Sequence, residues 1–459
     1  MAERFEIVEK ALIKMLEDKK YVTLRDILLT MNPSDIAAVF SGLEENQIPL
    51  MFRLLSKEQA AETFVEMEPD AQEVLIRGFS DNELKEVLDE LYVDDAADIV
   101  EEMPANVVKR ILDHANPEMR KSINQILRYP EDSAGSIMTP EYVSLRPNMT
   151  VEEAILSIRR QGVDKETIYT CYITASDRTL LGLVSVKDLL LASDDEMRLK
   201  DMMHTNIISV TTQTDQETVA RMLSKYNFLA MPVVDGENRM VGIVTFDDAM
   251  DVLTEEATED MELMSGMTPS EKPYLKSSTL ELFKNRFPWL TLLMVSSTFT
   301  GLIITAFEDA LASVVALTAF IPMLMGTGGN SGSQSSVTVI RALSLDELQL
   351  RDIGRVLWKE LQTSILCGVA LGIVCFVKIL LVDRMLMGNS DITLMVDAVV
   401  CFALCVTVII AKLVGCALPM AAKKLKMDPA VMASPFISTI VDALSLLVYF
   451  LFAKALLGV

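Results

Sequence analysis

Ser434-Pro-Phe-Ile-Ser-Thr-Ile-Val-Asp-Ala-Leu-Ser-Leu-Leu-Val-Tyr-Phe-Leu-Phe-Ala453 is long and apolar enough to cross a bilayer, and its one charged residue is Asp442. Roughly 20 apolar residues suffice for a crossing. A carboxylate at mid-depth costs about 2.5–3.5 kcal/mol on insertion scales, so it persists where it meets a cavity, a partner or an ion. It either pairs with a polar group on a neighbouring helix or forms a cation site. The polar flank of Pro435, Ser438 and Thr439 favours the cation site.

Working outward, residues 289–307, 310–340, 358–381 and 396–419 read as four further spans, with 434–452 as the fifth. The connection 341–359 holds Arg341, Arg351, Arg355 and Lys359, and Lys423, Lys424 and Lys426 follow the fourth span. The opposite connections hold only Arg384. Lys and Arg mark the cytoplasmic side, which predicts N-terminus in and C-terminus out. Span two contains Gly326-Thr-Gly-Gly-Asn-Ser-Gly-Ser-Gln-Ser-Ser336, too polar for a lipid-facing helix. Small residues permit close packing and hydroxyls can face water, so both packing and a hydrated pathway stay open. One carboxylate per chain is little for a divalent ion, which makes a symmetric dimer attractive.

The charge balance divides the chain. Of 65 acidic and 41 basic residues, 52 and 26 lie in the first 270, a charge of −26, and the remainder carries +2. Such a front half disfavours nucleic acid and anionic lipid and attracts cations. Its start lacks the apolar core of a signal peptide, so the acidic part is expected in the cytoplasm. Of six cysteines only Cys171 lies there, no Cys-x-x-Cys occurs, and the histidines are His114 and His204. A zinc site or disulfide framework does not follow from that set. No phosphate loop, nucleophile elbow or His-based acid–base pair is present, so no enzyme is expected.

Residues 1–134 carry a short repeat. Apolar residues recur every 12 positions at Met31, Leu43, Leu55, Met67, Phe79, Leu91 and Met103, each followed by capping types or proline. Stacked short helices in a small superhelical domain are expected. Glu62, Asp94, Asp95 and Asp98 are assigned to its exposed faces, with Asp94 and Asp98 four apart on one side of a helix. Residues 135–253 hold two α+β units, 135–199 and 200–253. Ser136-Ile-Met-Thr-Pro140 recurs as Asp201-Met-Met-His204, and Gly182-Leu-Val-Ser-Val-Lys-Asp188 as Gly242-Ile-Val-Thr-Phe-Asp-Asp248. These units resemble a tandem pair of CBS domains, which implies regulation and places Asp188 and Asp248 near an adenine nucleotide such as ATP. Either Asp also suits the first turn of a helix. An acidic connecting helix over 254–283 continues the last CBS helix, so that Asp248 and Asp251 at the end of the CBS pair are followed by Glu256, Glu259 and Asp260 on the connecting helix, at spacings of three and four. Like charges there repel, and Mg²⁺, a hard cation suited to oxygen ligands, would relieve the repulsion.

A helical repeat, a CBS pair, an acidic connecting (plug) helix and a five-helix all-α membrane domain over 284–459 together resemble the MgtE family of bacterial magnesium channels. The specific pieces are Gly326-Thr-Gly-Gly-Asn-Ser-Gly-Ser-Gln334, Met427-Asp-Pro-Ala430 and the stretch from Ser434 to Asp442. The resemblance implies a homodimer in the bacterial inner membrane that admits Mg²⁺, with other divalent cations as further candidates, past Asp442. It further implies Mg²⁺ sensing at Glu62, Asp94, Asp98, Asp215, Glu217, Asp248, Asp251, Glu256, Glu259, Asp260 and Asp428, closing the pore when the ion is plentiful. Asn227, Ser434 and Ser438 depart from the commoner family choices. A Na⁺-coupled magnesium exchanger and a membrane-anchored CBS nucleotide sensor are the alternative readings.

Overall fold

The computed structural model describes residues 2–270, 272, 274–275, 277–345, 347–388 and 392–458. The chain forms two compact units, Met1–Leu253 and Thr254–Val459.

In the first unit the 12-residue period becomes a run of short helices. These are α1 (Ala2–Glu17), α2 (Tyr21–Leu28), α3 (Pro33–Phe40), α4 (Ile48–Phe52) and α5 (Lys57–Val65). Then come α6 (Pro69–Gly78), α7 (Asp81–Leu88), α8 (Val93–Glu102), α9 (Ala105–His114) and α10 (Pro117–Ile126). All seven apolar residues of the period lie at bends between helices. The caps explain the restarts: side chains of Asn32, Ser56 and Ser80 accept from the backbone N–H of Ser34, Gln59 and Glu83. Helices of about two turns are unstable alone and must stack. Phe40, Phe52 and Phe64, 12 apart in sequence, do so directly, with ring centroids 6.3 and 6.2 Å apart.

Each CBS unit builds one three-stranded sheet. The first comprises β1 (Tyr142–Leu145), α11 (Val151–Gln161), β2 (Thr167–Thr174), β3 (Leu180–Ser185) and α12 (Val186–Leu190). After α13 (Leu199–Met202) the second has β4 (Val210–Thr211), α14 (Gln216–Tyr226), β5 (Ala230–Val234), β6 (Met240–Thr245) and α15 (Phe246–Met264). In both sheets the first pair of strands is parallel and the second antiparallel. The repeats clasp each other. Thr139 exchanges backbone hydrogen bonds with Ile243 on the second sheet, at 2.8 and 2.9 Å, and His204 does so with Leu183 on the first, at 2.9 and 3.0 Å. The repeated glycines permit this, since a Cβ on Gly242 would stand 2.8 Å from Met138 Sδ and one on Gly182 2.6 Å from Met203 Sδ.

The second unit is helical. It contains α16 (Thr279–Ala306), α17 (Glu308–Ser313), α18 (Ile321–Ser344), α19 (Ile353–Lys378), α20 (Leu394–Lys424) and α21 (Ser434–Leu457). Among the described residues, four stretches are long and apolar enough to cross a membrane: Thr279–Ala306, Leu350–Leu386, Leu394–Lys424 and Pro429–Leu457. The glycines and hydroxyls of α18 keep it outside that set, although its 24 residues are long enough. Three expectations change. The second span is not one helix over 310–340, because α17 and a 3-10 segment (Val315–Phe320) precede α18. Glu308 and Asp309, left between the first two expected spans, open α17 instead. The connecting helix stops at Met264, where Gly266 takes a φ of 70°, and a Ser278–Glu281 capping box starts α16 at Thr279, ahead of residue 284.

Candidate ion sites

The first unit gathers carboxylates from four places in the sequence. Asp94, expected on an exposed face, is only 7 % exposed. Its Oδ1 has no hydrogen-bond partner. Burial first, then the charges of Asp95, Asp248 and Glu166, hold its carboxyl well above the usual carboxylate range. Asp95 and Asp98 are raised to about 7, by burial and then by Asp248. Glu166, at the edge of β2, is pushed up to about 8 by burial and then by Asp95 and Asp248. Asp248 itself is raised by burial, against the pull of its hydrogen bond from Thr245. Burial also raises Asp251. Glu141 completes the group: its Oε2 accepts from Val93 N at 3.0 Å, at the start of α8, which has no side-chain cap of its own.

Ionised carboxylates crowded away from water are costly unless a cation joins them. Among the described residues, no three Asp, Glu, His or Cys side chains converge into a ready ligand cage for one ion. A cation that keeps its water shell needs no such cage, and Mg²⁺ usually keeps several waters.

The other expected sensor residues are spread out. Glu62 lies exposed on α5. Asp215 caps α14 by accepting from Thr218 N at 3.1 Å. Glu217 pairs with Arg221 one turn on. Glu256, Glu259 and Asp260 follow Asp248 and Asp251 along α15. Asp428 caps the 3-10 turn Pro429–Met432, accepting from Ala430 N at 2.7 Å. Asp188 stands apart from the acidic group. It accepts from Ser185 Oγ at 2.7 Å and lies 3.6 Å from His204 Nε2, and these neighbours, Ser185 foremost, lower its carboxyl. The two motif aspartates thus differ: Asp248 joins the acidic group and Asp188 does not.

Sequence reasoning passed over Glu141 and Glu166. Glu141 lies 48 residues from Val93, and Glu166 lies 71 from Asp95 and 82 from Asp248, so no spacing rule links them to α8.

In the second unit, Asp442 lies half-buried on α21, facing α18. A Cβ on Gly329 would stand 3.3 Å from Ser438 Oγ and 3.8 Å from Asp442 Oδ1, so glycine keeps the space beside the carboxylate open. Gly328 and Gly332 are buried on the same helix, whereas Asn330, Gln334 and Thr338 form an exposed polar stripe at spacings of four. A polar stripe on a membrane helix does not face lipid at depth; it faces water or protein. The last turn of α15 packs Leu263 and Met264 against Ile340, Ala430 and Ala433, beside the entrance to α21.

Apolar membrane helices with a half-buried Asp442 beside a polar stripe, joined to a CBS pair and a helical repeat, define a multi-pass membrane protein of the cation-transporter class. The profile described as "Divalent cation transporter" matches residues 321–452, that of the MgtE intracellular N domain matches 31–132, and CBS domains match 134–195 and 199–255. The chain belongs to the MgtE family. It is 37% identical to the magnesium transporter MgtE of Thermus thermophilus, over 97% of this chain and 98% of that one. With MgtE of Bacillus subtilis it shares 34% identity, over 97% and 96%. A crystal structure of the cytosolic domain of the Mg²⁺ channel MgtE in complex with ATP superimposes with a TM-score of 0.51 at 38% identity, covering 53% of this chain and 99% of that one.

Proposed function

We propose that this chain is a Mg²⁺ transporter of the bacterial inner membrane, working as a homodimer with its N-terminus in the cytoplasm and its C-terminus outside, and that cytoplasmic Mg²⁺ closes it. The observation that carries the proposal is the acidic group around Asp94, Asp98 and Asp248: Asp94 is buried, Asp248 half-buried and Asp98 at the open edge, and carboxylates crowded in this way hold their charge most readily with cations among them. Transport passes Asp442 and the polar stripe of α18, which two copies would enclose. A hydrated ion suits Asp442 as an outer-shell acceptor, since Mg²⁺ sheds water reluctantly.

Gating follows from one helix. Asp248 and Asp251 sit in the first turns of α15, Glu256, Glu259 and Asp260 further along, and Leu263 and Met264 at the end that packs beside α21. Ions that bind the closed arrangement more tightly shift the balance towards it. Glu62, Asp215 and Asp428, which are exposed, and Glu217, half-buried against Arg221, are assigned supporting roles in the same sensing system. Neutralising Asp94, Asp98, Glu256 and Glu259 together is expected to leave currents open at millimolar internal Mg²⁺, where the unaltered chain closes. Preserved inhibition in patch recordings would refute the sensor.

The CBS pair supplies an adenine-nucleotide site at Asp188, whose carboxylate stays ionised outside the acidic group. Asp188→Ala is expected to weaken binding of a fluorescent ATP analogue at least ~10-fold, and unchanged binding removes that assignment.

A further inference from the structure

Lys412 sits twelve residues before the end of α20, about 18 Å along the helix axis, and is only 7 % exposed. Its ammonium donates to Ser335 Oγ on α18 at 3.3 Å, and the Ser335 hydroxyl donates to Glu360 Oε2 on α19 at 2.8 Å. One hydroxyl thus accepts from a cation and donates to an anion at once, which fixes its orientation. The chain's proposed transport path has no use for either charge. We propose that Lys412, Ser335 and Glu360 form a charge-balanced bridge through three membrane helices that positions α18 against Asp442.

The surrounding packing supports this. Gly415, three residues after Lys412, lies so close to Gly332 that any Cβ there would fall on the Gly332 carbonyl. Gly332 is three residues before Ser335, so the bridge and the backbone contact mark the same crossing of α18 and α20. Towards α21, a Cβ on Gly332 would stand 2.9 Å from Ile437 Cγ2, and Gly329 faces Ser438 and Asp442. Rotating α18 to relax the bridge would carry these glycines off α21. The three are positioning residues, acting on the ion only through α18; with Lys412 and Ser335 buried and Glu360 half-buried, a pair of this kind is more damaging to break than to remove whole.

The inference rests on the Mg²⁺ transport reading, and the test separates the two. Full-length Lys412→Met, Glu360→Gln, the double variant, Lys412→Arg and Ser335→Ala are purified. Mg²⁺ influx into liposomes is followed with an internal Mg²⁺ dye, and melting is measured in detergent. Each neutralising single is expected to lower influx at least ~10-fold and to melt earlier, with the double recovering to within ~3-fold of the unaltered chain. Lys412→Arg keeps influx. Ser335→Ala, which removes no charge, is expected to raise the half-saturating Mg²⁺ concentration more than it lowers the maximal rate. Singles with unaltered influx, or a double no better than the worse single, overturn the bridge. If the unaltered chain carries no Mg²⁺, the transport reading falls. The melting series then still decides the bridge: recovery in the double supports it, and simple addition of the two losses overturns it.

Discussion

Replacing Asp442 with Ala is expected to abolish Mg²⁺ uptake, at least a 100-fold loss in influx, and with it growth rescue of a transport-deficient host on low Mg²⁺. The size follows from electrostatics. A divalent ion about 5 Å from a carboxylate gains about 6–7 kcal/mol at an effective dielectric constant of about 20. Even a small part of that is a large factor in rate, since each 1.4 kcal/mol or so is tenfold. Asp442→Asn keeps the shape and the hydrogen-bonding oxygen but loses the charge, so it is expected to fail as Ala does. Uptake by Asp442→Asn near the unaltered level would mean that the carboxylate serves packing against Gly329 and not the ion.

Without divalent ions, the first unit is expected to lose stability as pH rises from about 5 to 9, its melting point falling by on the order of 10 °C. Asp95 and Asp98 are raised to about 7 and Glu166 to about 8 in the folded chain. Unfolded, such carboxyls titrate near 4. Between those values the folded chain binds more protons than the unfolded one, so stability is full below about pH 4 and drains away through pH 7–8. Millimolar Mg²⁺ is expected to restore the loss at pH 8.5 and to add little at pH 5, where protons already neutralise the group. Hydrogen exchange of the α8 amides in the full-length chain reads this directly. Equal protection at both pH values without Mg²⁺ would show that the carboxylates are not crowded in solution.

These two outcomes concern residues of very different legibility. Asp442 stands out because an apolar run has no other charge, and a lone charge in such a run is costly wherever the helix packs. The 12-residue period, the doubled Gly-x-Val motif and the apolar runs are local patterns too. Caps, alternation and hydropathy act within a few residues, so the helical repeat, both CBS units and the membrane helices could be read directly. The break before α18 could not, because it depends on how α17 and the 3-10 segment pack, and neither carries a strong stop signal.

What the chain alone determined is therefore the inventory: which segments are helices, strands or spans, and which carboxylate lies among apolar neighbours. Only the tertiary structure decided which distant charges meet. It buried Asp94, brought Glu166 and Glu141 to α8, parted Asp248 from Asp188, and joined Lys412 to Glu360 through Ser335. Burial and charge proximity are sums over neighbours far apart in sequence. A helix face that reads as solvated by spacing becomes a crowded acidic group once another element packs beside it.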